Sequence, residues 1–214
     1  MFSMKKILLI VLFAYGFNAL AQKPAMTHES MWLLKKIGTP ALSPSGKWVI
    51  YSRTETSYNL DEQSADLWLA AADGSTEPRK ITNSKGGEDN YFWHPTLHQI
   101  FFTAKREGDE VAQLYRLNLD LGGEAQRMTN ISTGVLTPKI SSDGSKIAFT
   151  SRVFATAFTD SLSKKMAEEK KTIKTKARVY TSFPIRYWDS WLDDKQSHVY
   201  VMDLTASKPA PKNT

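Results

Sequence analysis

A mostly β chain built from repeated four-stranded units is what this sequence predicts, and three observations carry the expectation. Short strand-like runs alternate with Gly, Pro, Asn, Asp and Ser turns. Sustained 3.6-residue periodicity is scarce before residue 160, and one strand–turn pattern recurs at a spacing of 47 residues. The 214 residues, 41% hydrophobic and 11% aromatic, suffice for a buried core in one or two ordinary domains and exclude a wholly disordered chain.

Residues 1 to 21, MFSMKKILLIVLFAYGFNALA, place two lysines before an apolar run and Ala19-Leu20-Ala21 before Gln22. That order predicts a cleaved secretory signal peptide. Gly16 and Asn18 interrupt the run, which falls short of the roughly 20 apolar residues that cross a bilayer. The mature product is therefore expected in the periplasm or outside the cell, with no membrane attachment once the signal is removed. Cysteine is absent, which excludes a lipidated cysteine anchor, disulfides and thiolate sites.

Residues 22 to 38 form the next segment, in which Thr27 precedes MWLLKKIG and predicts a short capped helix ending at Gly38. From residue 39 to residue 214 the repeat takes over. Leu67-Trp68 corresponds to Leu114-Tyr115, Arg79-Lys80-Ile81-Thr82 to Gln126-Arg127-Met128-Thr129, and Trp93-His94-Pro95 to Ile140-Ser141-Ser142. An earlier copy, LSPSGKWVIYSR, runs from Leu42 to Arg53. Each unit joins a turn such as Ser43-Pro44-Ser45-Gly46 or Ser141-Ser142-Asp143-Gly144 to a strand, a polar loop and a second strand with an aromatic residue. A period near 47 residues matches a four-stranded propeller blade. The expected fold is all-β: the first three blades of a β-propeller with four-stranded antiparallel sheets. Strands are expected at residues 47 to 53, 65 to 71 and 78 to 82, the first unit closing near 90 to 94. The second unit takes residues 99 to 105, 112 to 118 and 125 to 129, closing near 136 to 141.

The third unit starts with KIAFTSR and then departs from the period, because its next matching strand, around Val199, arrives about 38 residues late. Residues 152 to 195 are thus read as an insertion in the third blade, helix-compatible to about Lys176 and aromatic from Phe183 to Trp191. It is either a functional loop or a solvated basic helix shielding a blade edge. Three blades do not close a propeller and would leave strand edges open. The chain is therefore expected to be the N-terminal portion of a longer protein, and an isolated product of this length to be unstable or a homo-oligomer.

The net charge of +6 suggests nucleic acid only until it is divided along the chain. Residues 161 to 178 hold seven basic and two acidic groups, and with the signal lysines removed the remainder is nearly neutral. No nucleic-acid partner is expected. Histidines 28, 94, 98 and 198 make no close ligand motif, and Asp189-Ser190-Trp191-Leu192-Asp193-Asp194-Lys195 lacks the glycine and oxygen pattern of a calcium loop. No metal or cofactor is expected.

Several stretches carry a resemblance to a known family: MTHESMWLLKKIGTPALSPSGKWVIYS, DLWLAAADG with RKIT, PKISSDGSKIAFTSR and, the most particular, PIRYWDSWLDDKQSHVYVMDL. Over residues 26 to 207 the chain resembles the start of a secreted serine peptidase of the prolyl oligopeptidase family, in its acylaminoacyl-peptidase and dipeptidyl-peptidase-like branch. That resemblance implies an N-terminal propeller covering a C-terminal α/β-hydrolase domain with a serine, aspartate and histidine. The propeller would restrict access to short peptides, and the whole enzyme would release dipeptides or acylated N-terminal residues. No GxSxG nucleophile elbow occurs in this sequence, so no catalytic residue is expected here. Ser141, Asp143 and His94 fit repeated turn positions rather than a triad. The alternative is a non-enzymatic periplasmic propeller that binds proteins, similar to translocation-associated propellers.

Trp188, Asp189, Trp191, Asp193, Asp194 and His198 form the densest aromatic and polar stretch. One reading places Trp188, Asp189, Trp191, Asp194 and His198 at the peptidase-domain contact or its entrance. The other is a long hairpin whose aromatics cover the bottom of the blade, with Asp193-Asp194-Lys195 as its exposed turn. Trp68, Trp93, Tyr115 and Tyr200 read as blade-packing residues. Asn130-Ile131-Ser132 fits a glycosylation acceptor pattern.

Overall fold

Thr27 sets the first described element, helix α1 (His28–Trp32), by accepting a hydrogen bond from the Ser30 backbone N–H while the Ser30 hydroxyl accepts one from the Thr27 N–H. This reciprocal pair satisfies two of the donors that a helix start leaves open. The computed structural model describes residues 25–58, 63–157, 159–175, 177, 179–181, 183–206 and 211–213. The expected signal peptide lies outside them. The chain divides into two units, Met1–Leu34, which holds α1, and Lys35–Thr214, which holds every strand.

Among the described residues the second unit holds three antiparallel sheets of four or five strands and one two-stranded hairpin. In the first, β1 (Lys36–Ile37) and β2 (Ala41–Leu42) both pair with β3 (Trp48–Thr56), followed by β4 (Gln63–Ala71) and β5 (Arg79–Lys80). The second runs in chain order through β6 (Glu88–Trp93), β7 (Gln99–Ala104), β8 (Gln113–Asn118) and β9 (Gln126–Arg127). The third joins β10 (Leu136–Ile140) and β11 (Lys146–Phe154), and is completed beyond the insertion by β14 (Lys195–Asp203) and β15 (Pro211–Asn213). The insertion carries helix α2 (Asp160–Thr172) and the small hairpin β12 (Arg186–Tyr187) and β13 (Ser190–Trp191). The sheet groupings are those of propeller-like blades with a minor helical element.

One allotment differs from the sequence reading. Residues 88 to 93 do not close the first sheet; they open the second, with Trp93 opposite Ile100, and residues 136 to 140 likewise open the third. A repeat period fixes how many strands recur but not where one sheet is cut from the next. The short turn from Trp93 to Gln99 favours the local hairpin partner over a distant one.

The middle sheet explains why two cores exist. Successive side chains on a strand point to opposite faces, and β7 is buried on both. Ile100 and Phe102 face a core with Ile50, Leu67, Leu69 and Trp93, while Phe101 faces one with Leu114, Ile147, Phe149 and Tyr200. In β11 the alternation is clean over Ile147, Phe149, Ser151 and Val153, all at most 2% exposed.

The repeat also has a polar counterpart. The Thr82 hydroxyl oxygen accepts from the Leu67 N–H at 2.8 Å, and Thr129 accepts from Leu114 at 3.0 Å, 47 residues later in each case. Both threonines lie just past a two-residue outer strand and satisfy a buried donor that the short strand leaves unmatched. Ser43 and Ser141 play the same part in the tight turns, accepting at 3.0 Å from Trp48 N–H and Lys146 N–H. His94 occupies the corresponding place in the second sheet, its Nδ1 accepting from the backbones of Thr96 and Leu97.

Candidate functional site: the third-sheet insertion

The insertion is tied down at its start and left exposed at its far end. Thr159 caps α2 by accepting from the Leu162 N–H at 3.2 Å, and Asp160 Oδ1 accepts from the Ser132 backbone and hydroxyl at 2.9 and 2.8 Å. Lys170 and Lys171 fill the last turn of α2, complementing the partial negative charge of that helix end.

Two ion pairs anchor the return to β14: Arg152 with Asp193 at 2.7 Å, and Lys170 with Asp194. Burial raises the Asp194 carboxyl, but the Lys170 hydrogen bond and the nearby Lys170 and Lys195 charges outweigh it and hold the group below the ordinary carboxylate value. Lys170 and Lys195 also lie over the Phe154 ring, 5.0 and 5.2 Å from its centroid.

The aromatic part stands apart from these anchors. Arg186 pairs with Trp191 and Tyr187 with Ser190, so the hairpin turns at Trp188 and Asp189. Arg186 covers the Trp191 ring at 5.5 Å, and the Tyr180 ring lies 6.4 Å from it, its hydroxyl donating to the Leu192 carbonyl at 2.8 Å. Trp188 is 89% exposed, with Tyr187 and Phe183 close behind. These aromatics do not cover a blade, and the hairpin is two residues per strand rather than long. Asp189 accepts only from its neighbour Ser190 at 3.0 Å among the described contacts.

Trp188, Asp189 and Trp191 therefore share one exposed hairpin, and Asp193 and Asp194 share its ion-paired base. His198 sits elsewhere, half-buried on β14 opposite Ser151. Among the described residues no group of three or more His, Cys, Asp or Glu is placed to hold a metal ion.

Trp188 has a φ of 54°, the left-handed region that bulky residues avoid. Trp188→Gly relieves that strain and loses almost no packing, offset by the flexibility glycine adds to the unfolded chain. Urea unfolding should show stability unchanged or raised by up to about 1 kcal/mol. A loss above that size would mean the exposed indole makes stabilising contacts.

A second polar cluster was not legible in the sequence. Glu88 on β6 is fully buried, accepts from the Thr82 hydroxyl at 2.6 Å and lies 3.5 Å from the Arg106 guanidinium. Thr82 and Arg106 also line a cavity of about 520 Å³ with Lys80 and Glu124. Burial, above all, pushes the Glu88 carboxyl above its ordinary value of 4.5. The folded state thus holds this proton to higher pH than the unfolded state, so the contribution is complete below about pH 4.5 and declines as pH rises through the folded value. Glu88→Gln keeps an acceptor for Thr82 and removes the titration. The variant should gain on the parent protein as pH rises above 4.5 in urea titrations across pH; a constant difference contradicts the assignment.

With this geometry in place, comparison with known proteins gives a consistent picture. No protein-family profile matches the chain. In sequence it is 28% identical over 129 residues to the uncharacterized peptidase YuxL of Bacillus subtilis, covering 60% of this chain and 19% of that protein. It is 25% identical over 189 residues to dipeptidyl-peptidase 5 of Porphyromonas endodontalis, covering 86% of this chain and 25% of that protein. The chain thus spans a fifth to a quarter of the length of these curated relatives. In structure it superposes on an acylaminoacyl peptidase of Pyrococcus horikoshii with a TM-score of 0.60 at 11% identity, over 87% of this chain and 26% of that one. The AtxE2 isopeptidase gives 0.58 at 15% identity, over 88% and 32%. The chain is weakly homologous in sequence to peptidases and shares a fold found in peptidases of the acylaminoacyl type; no branch among them is singled out.

Proposed function

We propose that the chain forms the N-terminal part of a propeller in an exported serine peptidase of the prolyl oligopeptidase type. The observation that carries this is the similarity to a dipeptidyl-peptidase across 86% of the chain, a stretch long enough to run through α2. In this reading a separate α/β-hydrolase domain supplies the serine, histidine and aspartate. Its serine attacks the peptide carbonyl, the amine leaves with a proton from the histidine, and water then hydrolyses the ester.

This chain contributes access control to that reaction: its sheets wall the path to the hydrolase and admit short peptides. The exposed hairpin bearing Trp188, Asp189 and Trp191 lies at the entrance or against the hydrolase domain, with Asp194 fixing its base, while His198 lies apart from it on β14. The products are dipeptides or acylated N-terminal residues. Secretion follows from the signal peptide at residues 1 to 21, which leaves a periplasmic or extracellular protein.

The test is the intact mass of the native gene product from envelope and culture fractions, combined with labelling by a serine-directed fluorophosphonate. A labelled mature species of about 70 to 80 kDa supports the reading, being the size that added blades and a hydrolase domain require. An unlabelled species, or one near the 24.1 kDa of this chain, overturns it.

A further inference from the structure

Helix α2 and the aromatic hairpin are joined by a stretch in which charge, exposure and backbone geometry coincide. From Lys170 to Arg178 the sequence KKTIKTKAR holds five basic groups and no acidic one. The helix ends at Thr172, and Ile173 leaves it in an extended conformation, with φ −70° and ψ 118°. Lys171, Ile173, Lys174 and Thr175 are all exposed, and the backbones of Lys174 and Thr175 make no hydrogen bond among the described residues.

An endopeptidase that cuts after lysine or arginine needs such a place. The basic side chain must be free to enter its pocket, on a backbone that can be drawn out as a strand without breaking a folded element. Elsewhere among the described residues the basic side chains sit on less yielding backbone. Those of α2 and of the strands belong to helical or ladder hydrogen bonding. The Lys47 carbonyl accepts from the Ala72 N–H at 2.9 Å, and Lys85 lies in a turn closed by the Gly87 N–H on the Ser84 carbonyl at 3.3 Å. Lys105 is followed by Arg106, whose N–H and carbonyl are both bonded to Asp109, and Lys35 runs directly into β1.

Both sides of the stretch are held independently of it. Upstream, Asp160 accepts from Ser132, and Lys170 pairs with Asp194. Downstream, the Tyr180 hydroxyl donates to the Leu192 carbonyl, and β14 pairs with β11 from Lys195–Phe154 to Asp203–Lys146. A cut between these anchors releases one of the two connections of the aromatic hairpin and leaves the third sheet whole.

We propose that this stretch is a processing site, at which a lysine- or arginine-specific endopeptidase cuts the Lys174–Thr175 bond first and leaves a two-piece protein. Water adds across the peptide bond, giving a carboxylate on Lys174 and an ammonium on Thr175. The site stands whether or not this chain belongs to a peptidase, because a partner enzyme performs the cleavage.

The experiment is brief trypsin digestion of the intact chain, followed by N-terminal sequencing of the pieces and gel filtration. The first new N-terminus should be Thr175, with both pieces eluting together at the parent position and separating only in denaturant. Lys171→Gln, Lys174→Gln, Lys176→Gln and Arg178→Gln together should slow loss of the intact chain at least ~10-fold, with the circular dichroism spectrum unchanged. The native gene product from culture fractions should carry the same new terminus. Four results overturn the proposal: a first cut outside residues 171–178; unchanged digestion of the variant; pieces that separate without denaturant; or native protein with no terminus in this stretch.

Discussion

Replacing Gly144 by alanine should cost about 2 to 5 kcal/mol, whereas the same change at Gly46 should cost about 1 to 2 kcal/mol. The two glycines close equivalent turns and share nearly the same backbone, with φ of 74° and 71°. Each substitution therefore carries the left-handed penalty of a Cβ against its carbonyl, about 1 to 2 kcal/mol. The surroundings separate them. A Cβ on Gly46 meets nothing within 4 Å, while one on Gly144 meets His94 Cε1 at 2.4 Å, Nε2 at 2.6 Å and a Pro95 ring carbon at 3.2 Å. His94 cannot swing away cheaply, because its Nδ1 is held by the Thr96 and Leu97 N–H groups at 3.2 and 3.1 Å. Overpacking of that kind adds about 1 to 3 kcal/mol. Urea midpoints of the two variants measure the difference directly. Equal losses would show that the second and third sheets do not close on each other through His94.

The same pair shows what could be read from the sequence. Ser43-Pro44-Ser45-Gly46 and Ser141-Ser142-Asp143-Gly144 announced both turns, since residue type alone signals a positive φ and a hydroxyl cap. The docking of one turn on His94 was invisible, because the partners lie 50 residues apart and a turn signature does not say what the turn packs against. Strand positions were likewise legible, down to Ile147 and Phe149, whereas residues 152 to 154, read as the start of the insertion, continue β11. The cut between sheets was not, because a period of 47 residues is unchanged when Glu88–Trp93 is moved from one sheet to the next.

The candidate site divides in the same manner. An insertion with a helix followed by an aromatic stretch could be found by the delay between Ser151 and His198, residues that the structure pairs across β11 and β14. Which of its charges pair could not. Asp193 and Asp194 read as an exposed acidic turn, yet Arg152 and Lys170 reach them from 41 and 24 residues away. The insertion is basic in composition but internally neutralised at its base, leaving the Trp188 end as its open face. The Asp120–His98 and Thr82–Glu88 contacts are invisible for a related reason: the first joins two turns of the second sheet, and the second joins the β5–β6 connection to the first residue of β6, pairings that only the folded backbone sets.

Phe149→Ala should remove about 3 to 5 kcal/mol, enough to unfold a domain of ordinary stability or nearly so. Phe149 is 2% exposed on β11 and stacks on Tyr200 of β14, with ring centroids 5.5 Å apart and planes at 7°. It also belongs to the core that Phe101 and Leu114 of the second sheet share with Ile147 and Met202 of the third. Its truncation thus opens a cavity at a junction between sheets rather than at a rim that could collapse. Tyr200→Phe is the informative companion. Burial raises the Tyr200 phenol above its ordinary value of 10.0, the Asp160 charge adds to the shift, and the hydroxyl has no hydrogen-bond partner among the described residues. Removing that oxygen keeps the stack and deletes an unmatched buried dipole, so stability should hold or rise by about 1 kcal/mol. If thermal unfolding instead ranks Tyr200→Phe with Phe149→Ala, the hydroxyl has a partner and the junction is held by polar contact; if both changes are mild, the third sheet is not packed on the second. A large loss at Phe149 with none at Tyr200 establishes apolar packing across β7 and β11 as what joins these two sheets.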